Sequence, residues 1–201
     1  MPFEVVFGLV IMLAAAIVLW ALYSYFAREK WNREGKGAEA KACSVLKRYA
    51  SLRNFKVLTG LRFETSSGPV EVQVALVGFF GVLILHTCGM RGEYYSDPTG
   101  KKWTIVYPDS RESFESPFLV QQRAVSAMRE IFAKNKAYKI PIERATYISN
   151  RSKQTAVFFS TKEALIMPGR LRSYLDKEKF EQDANMDVAQ IVSILEQYKQ
   201  K

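Results

Sequence analysis

Two different hydrophobic rules govern this chain. Residues 5–27, VVFGLVIMLAAAIVLWALYSYFA, hold no charged side chain, and an apolar run of that length predicts one helix able to cross a bilayer core. Downstream the apolar positions become periodic. AEAKACSVLKRYASL sets Ala42, Val45, Leu46, Tyr49 and Leu52 three and four residues apart, the spacing of an amphipathic helix. Five short β-type runs follow, NFKVLTGLRFET, PVEVQVALVG, GVLILHTCG, GEYYSD and KKWTIVY. The turn signals between them, SSG, GFFG, GMRG and DPTG, predict an antiparallel meander. Residues 116–135 predict a second helix, with Ser116 at its cap, Pro117 in its first turn, and Leu119, Ala124, Ala127, Met128, Ile131 and Phe132 on its apolar face. IPIERATYIS and TAVFFS read as strands, EALIMPGRLRSYLD as a short strand and a helical turn, and NMDVAQIVSILEQYKQK as a terminal helix starting near Asn185 or Asp187. This order is that of an α/β (α+β) layered domain with one core, residues 38–201, after an anchor at 1–27 and a basic linker at 28–37.

The flanks of the apolar run favour a retained anchor. It ends in Trp20, Tyr23, Tyr25 and Phe26, rings suited to the headgroup region, whereas a cleaved signal peptide wants a basic start and a small-residue cleavage site. Glu4 lies before it, and Arg28, Lys30, Arg33, Lys36 and Lys41 lie after it. That bias predicts a single-pass membrane protein with its N-terminus outside and its domain in the cytoplasm. Two cysteines without a disulfide pattern agree with a reducing compartment.

Charge adds candidate partners. The net charge of +9 falls almost wholly after residue 27, and Lys41, Lys47 and Arg48 give the first amphipathic helix a basic face. A basic domain held beside a bilayer suits nucleic acid or anionic lipid, with a protein partner as the remaining expectation. Arg151 and Lys153, in the run SNRSKQTAVFFSTK, read as part of a solvated turn.

The reactive side chains concentrate in GVLILHTCGMRGE. His86 is the only histidine, and Cys88 lies two positions on, so the two share a strand face. Around them, GKGAEA opens a helix, VEVQVALVGFFGVLILHTCGMRGEYY spans two strands, a tryptophan follows in the next strand, and SPFLVQQ opens a later helix. Together these stretches resemble the nuclease-related domain (NERD) family, from residue 35 to the mid-150s. The resemblance implies a PD-(D/E)xK restriction-endonuclease-like fold, an αβββαβ core whose central mixed sheet is flanked by helices. It also implies a catalytic Asp, Glu and Lys where this chain has Gln73, His86 and Cys88, while the helix-start acid is kept as Glu39 and the second glycine becomes Ala38.

That substitution pattern predicts a pseudo-nuclease. Phosphodiester cleavage of this kind needs carboxylates to hold Mg²⁺, a hard ion that prefers oxygen ligands. Gln73 is neutral, and His86 and Cys88 are softer nitrogen and sulfur donors. No catalytic residue, metal or other cofactor is therefore expected. Two alternatives stay open: a migrated set using Glu39 and Glu71 with Mg²⁺, and a Zn²⁺ site on His86 and Cys88 with a glutamate as third ligand. A Cys88 nucleophile activated by His86 lacks an orienting acid in the sequence. By the same resemblance, Gln121 or Gln122 would face the cleft. The expected function is a binding or scaffolding module, with nucleic acid as the first candidate ligand.

Overall fold

The computed structural model describes residues 3–33, 36–65, 68–107 and 110–199. It is a mixed α/β structure with two mixed sheets. Helix α1 (Phe3–Arg33) leads into α2 (Lys36–Ala50), followed by strands β1 (Lys56–Thr65), β2 (Gly68–Gly78) and β3 (Gly81–Cys88). Three short strands come next, β4 (Glu93–Ser96), β5 (Lys102–Val106) and β6 (Arg111–Glu115), and then helix α3 (Pro117–Lys134). The chain closes with β7 (Ile142–Ile148), β8 (Ala156–Val157), β9 (Leu165–Ile166), α4 (Leu171–Leu175), a 3₁₀ turn at Glu178–Phe180 and α5 (Val188–Glu196).

The larger sheet has the order β1-β2-β3-β7-β9. β1, β2 and β3 pair antiparallel, while β3–β7 and β7–β9 are parallel. Alternation along β3 supplies both cores. Val82 and Ile84 face α3 and α5, among Ala124, Met128, Ile131 and Leu195. Leu83 and Leu85 face α2 and α4, among Leu46, Tyr49, Leu171 and Leu175. A helix on each side of a sheet with two apolar faces removes both faces from water, which is the main force holding such a layer together.

The smaller sheet, β6-β5-β4-β8, departs from the single meander that the sequence suggests. Its strands pair with one another and, through β8, with a later segment, rather than extending the first sheet. Trp103 explains the split. It is fully buried and packs edge-on to Phe118 and against Phe159, Phe114 and Tyr94, forming a third apolar cluster with Ile105, Ile148 and Cys88.

Two glycines fix local geometry. Gly81 has φ +112, and a Cβ there would lie 2.3 Å from the Pro141 carbonyl oxygen, which accepts the Val82 N–H. Only glycine lets the β2–β3 turn meet the chain entering β7. Gly60 has φ +62, and the β1–β2 register passes from Thr59↔Val74 to Leu61↔Val72 around it. At this point both strands exchange faces, since Leu58 and Leu61 join the same core although three residues apart.

The expected membrane anchor over residues 5–27 is overturned, and with it the single-pass placement with an outside N-terminus. Among the described residues no helix is long and apolar enough to cross a membrane. Trp20, Tyr23, Ser24 and Tyr25 lower the hydropathy of the second half of α1. The helix itself continues past Ala27 to Arg33 and so takes in much of the expected linker. Residues 11–23 are all exposed.

Candidate functional site

The three positions at which the nuclease-like pattern expects Asp, Glu and Lys lie around the end of the β2–β3 ladder. That ladder stops at Val74↔Leu85. Beyond it the Thr87 N–H donates to Gln73 Oε1 at 2.6 Å, and the Thr87 hydroxyl donates to the same oxygen at 3.1 Å. The Gln73 side chain thus substitutes for the missing main-chain acceptor and holds two diverging strands together. Its oxygen is already committed to two donors.

His86 continues the face of Val82 and Ile84, and the parallel register sets it beside Thr146. It is half-buried, and burial alone lowers its pKa from 6.5 to about 4. With a conjugate acid of pKa about 4 the imidazole stays neutral near pH 7 and is too weak a base to be tuned for proton transfer there. Cys88 is 5% exposed and sits among Tyr94, Trp103, Ile105 and Ile148. Burial pushes its thiol up to about 12, so it is neither a thiolate nucleophile nor a ready metal ligand.

The retained acids lie elsewhere. Glu39, in the first turn of α2, has its carboxyl pushed up by burial and then by the charge of Glu71. Val70 and Val72 face α3 and α5, so Glu71 between them faces the α2 side, away from His86 and Cys88. Two carboxylates are thereby brought together, but not with the histidine and cysteine. Among the described residues no group of three or more His, Cys, Asp and Glu is arranged to hold a metal ion. The zinc set of His86, Cys88 and a glutamate is not assembled there, whereas the two carboxylates of the migrated set, Glu39 and Glu71, do lie near one another.

The two glutamines of SPFLVQQ separate. Gln121 is buried, and its Nε2 donates to the Ala145 carbonyl of β7, while its Oε1 has no partner. Gln122 is exposed. Of the basic set, the side chains of Arg28 and Arg33 lie outside the described residues, whereas Lys30, Lys36, Lys41, Lys47 and Arg48 are exposed along α1 and α2.

The open site is a few residues further along the chain. A cleft of about 460 Å³ is lined by Arg91, Gly92, Glu93, Val106, Tyr107, Lys153 and Gln154. It lies past the carboxyl ends of the parallel pair β3–β7, the place where open α/β sheets commonly bind ligands. Several bonds fix its walls. The Ser149 N–H donates to the Cys88 carbonyl at 2.9 Å, and Asn150 Nδ2 to the Gly89 carbonyl at 3.1 Å, so the loops after β3 and β7 are riveted together. The Tyr94 hydroxyl donates to the Met90 carbonyl at 2.8 Å. Gly92, with φ +144, lies so close to β5 that a Cβ would meet Ile105 and the Val106 oxygen at 2.7 Å. Within the loop after β7, Asn150 Oδ1 accepts the Ser152 N–H, and Ser152 Oγ accepts the Gln154 N–H.

Arg91 and Lys153 are both exposed, and neither forms an ion pair among the described residues. Glu93, the one acid in the lining, accepts the Tyr95 hydroxyl at 2.8 Å. Sequence reasoning passes over Arg91, Tyr107 and Gln154, and places Lys153 in an ordinary turn. The available signal is the GMRG turn, an arginine between glycines directly after a buried strand. No protein-family model, curated protein or solved structure matches the chain.

Proposed function

We propose that this protein is a non-catalytic nucleic-acid-binding module built on a nuclease-like frame. The observation that carries the reading is the commitment of two of the three reactive positions to the fold, since Gln73 completes a strand ladder and Cys88 is core, while burial keeps His86 neutral. The order α2–β1–β2–β3, then α3–β7, fits the frame that the resemblance implies. The +9 charge supports a polyanionic ligand, since lysine and arginine release condensed counterions from a phosphate backbone.

The test is fluorescence anisotropy with a short single-stranded DNA, with and without Mg²⁺ or Mn²⁺. Binding at about 50 mM salt that weakens steeply as salt rises, with the strand left intact, is the expected result. Metal-dependent degradation abolished by Glu71→Ala would overturn the non-catalytic part, and absent or salt-insensitive binding would overturn the nucleic-acid part.

One observation favours a second reading, a scaffold that docks a protein partner. The apolar side chains of residues 11–23 stay exposed, including Leu19 and Trp20, and contiguous apolar surface commonly marks an interaction site. Light scattering at rising protein concentration would show whether that surface associates with copies of itself.

A further inference from the structure

We infer that the cleft between Arg91 and Lys153 is a binding site for the phosphate group of a nucleotide unit, free or within a strand. The strand as its source rests on the nucleic-acid reading above. The phosphate chemistry rests on the cleft itself.

Three features point to this ligand. First, two cations line the cleft, Arg91 from the loop after β3 and Lys153 from the loop after β7, with no competing ion pair among the described residues. A guanidinium presents paired N–H donors that match two phosphate oxygens, and an ammonium adds a point charge. Gln154 supplies a neutral donor beside them. Arg151, also exposed, lies on the same loop, where its guanidinium approaches the Gly169 backbone at 3.4 Å from the position a Cβ would take.

Second, the walls are preorganised. Asn150 to Gly89, Ser149 to Cys88 and Tyr94 to Met90 hold the two loops before any ligand arrives, so less ordering opposes binding. Third, the dimensions suit one unit rather than a bare ion. A volume of about 460 Å³ is that of a small-molecule site, and the Val106 and Tyr107 edge offers an apolar and aromatic wall for a sugar or base. Glu93 is the opposing charge in the lining. Its bond from Tyr95 occupies one oxygen, and its carboxylate selects against a ligand with negative charge on both ends.

The experiment compares three probes on the full chain: inorganic phosphate, a nucleoside monophosphate and a short single-stranded DNA. Each is titrated against wild type, Arg91→Gln/Lys153→Gln, and a control of equal charge change, Lys134→Gln/Lys162→Gln. Both pairs are exposed, so folding is expected to survive, and circular dichroism checks it. The expected result is a loss on the order of tenfold in strand affinity for the cleft variant and less than about twofold for the control. The salt slope should fall by about 1 to 2 for the cleft variant, and the nucleoside monophosphate should compete with the strand in wild type. Equal losses in both variants would overturn the cleft while leaving strand binding intact. Binding of phosphate and monophosphate that requires Arg91 and Lys153, without strand binding, would uphold the cleft and overturn the nucleic-acid reading. Failure of all three probes to bind would overturn both.

Discussion

The His86–Cys88 face and the Arg91–Lys153 cleft are separated by a single short turn of chain, yet they differ in every property that makes a site. The first holds the side chains that chemistry would choose, an imidazole and a thiol, but Cys88 is packed in the interior and the half-buried His86 is held neutral by desolvation. The second holds side chains that occur on any basic surface, but it presents them across an open, braced cleft. Reactive residue type and accessibility are thus independent, and in this molecule accessibility decides.

The comparison can be broken most forcefully by putting the nuclease-like lysine back. Cys88→Lys would bury an ammonium among Tyr94, Trp103, Ile105 and Ile148, with no carboxylate in that apolar cluster to receive it. A loss of at least about 3 kcal/mol, or failure to fold, is expected in urea denaturation. Near-normal stability would mean that the Cys88 environment is wet and open.

A smaller effect should come from His86. Its folded pKa of about 4 lies below its ordinary 6.5. Between those values the unfolded chain takes up the proton and the folded chain does not. The contribution is therefore fully present above about pH 6.5 and is lost as pH falls toward about 4, by on the order of 1 to 3 kcal/mol. Denaturation midpoints measured across that window should fall more steeply for wild type than for His86→Gln. Parallel pH profiles would show that the imidazole is solvated.

Gln73→Ala should cost about 1 to 2 kcal/mol, since it strands the Thr87 N–H where the ladder has already ended. Urea midpoints again provide the measure, and a neutral outcome would indicate that water replaces the amide. The smallest expected change lies across the comparison: Arg91→Gln/Lys153→Gln should alter stability by no more than about 0.5 kcal/mol, as expected for exposed side chains outside any ion pair. A large loss there would turn the cleft cations into structural ones.

Much of the layered fold is legible in the sequence because its signals are local. The three- and four-residue spacing of Ala42, Leu46 and Tyr49, and the glycines bounding the β2–β3 turn, are properties of adjacent residues. The division into two sheets is not legible in this way, because it depends on Trp103 meeting Phe118 and Phe159 from distant segments. The long apolar run carried the boldest expectation, yet among the described residues no helix is both long and apolar enough to cross a membrane. The candidate site follows the same division. His86 and Cys88 stand out by residue type alone, whereas the cleft appears only when Asn150 ties the loop after β7 to Gly89.

The most direct measurement is amide chemical-shift mapping of the full chain with a short single-stranded DNA and Mn²⁺ added in turn. Shifts from the DNA confined to the neighbourhood of Gly92, Lys153 and Gln154, with no selective paramagnetic broadening from Mn²⁺ at Gln73, His86 or Cys88, are the predicted result. Selective broadening at Gln73, His86 and Cys88, with DNA shifts centred there rather than on the cleft, would contradict the division between a sealed frame and an open binding site.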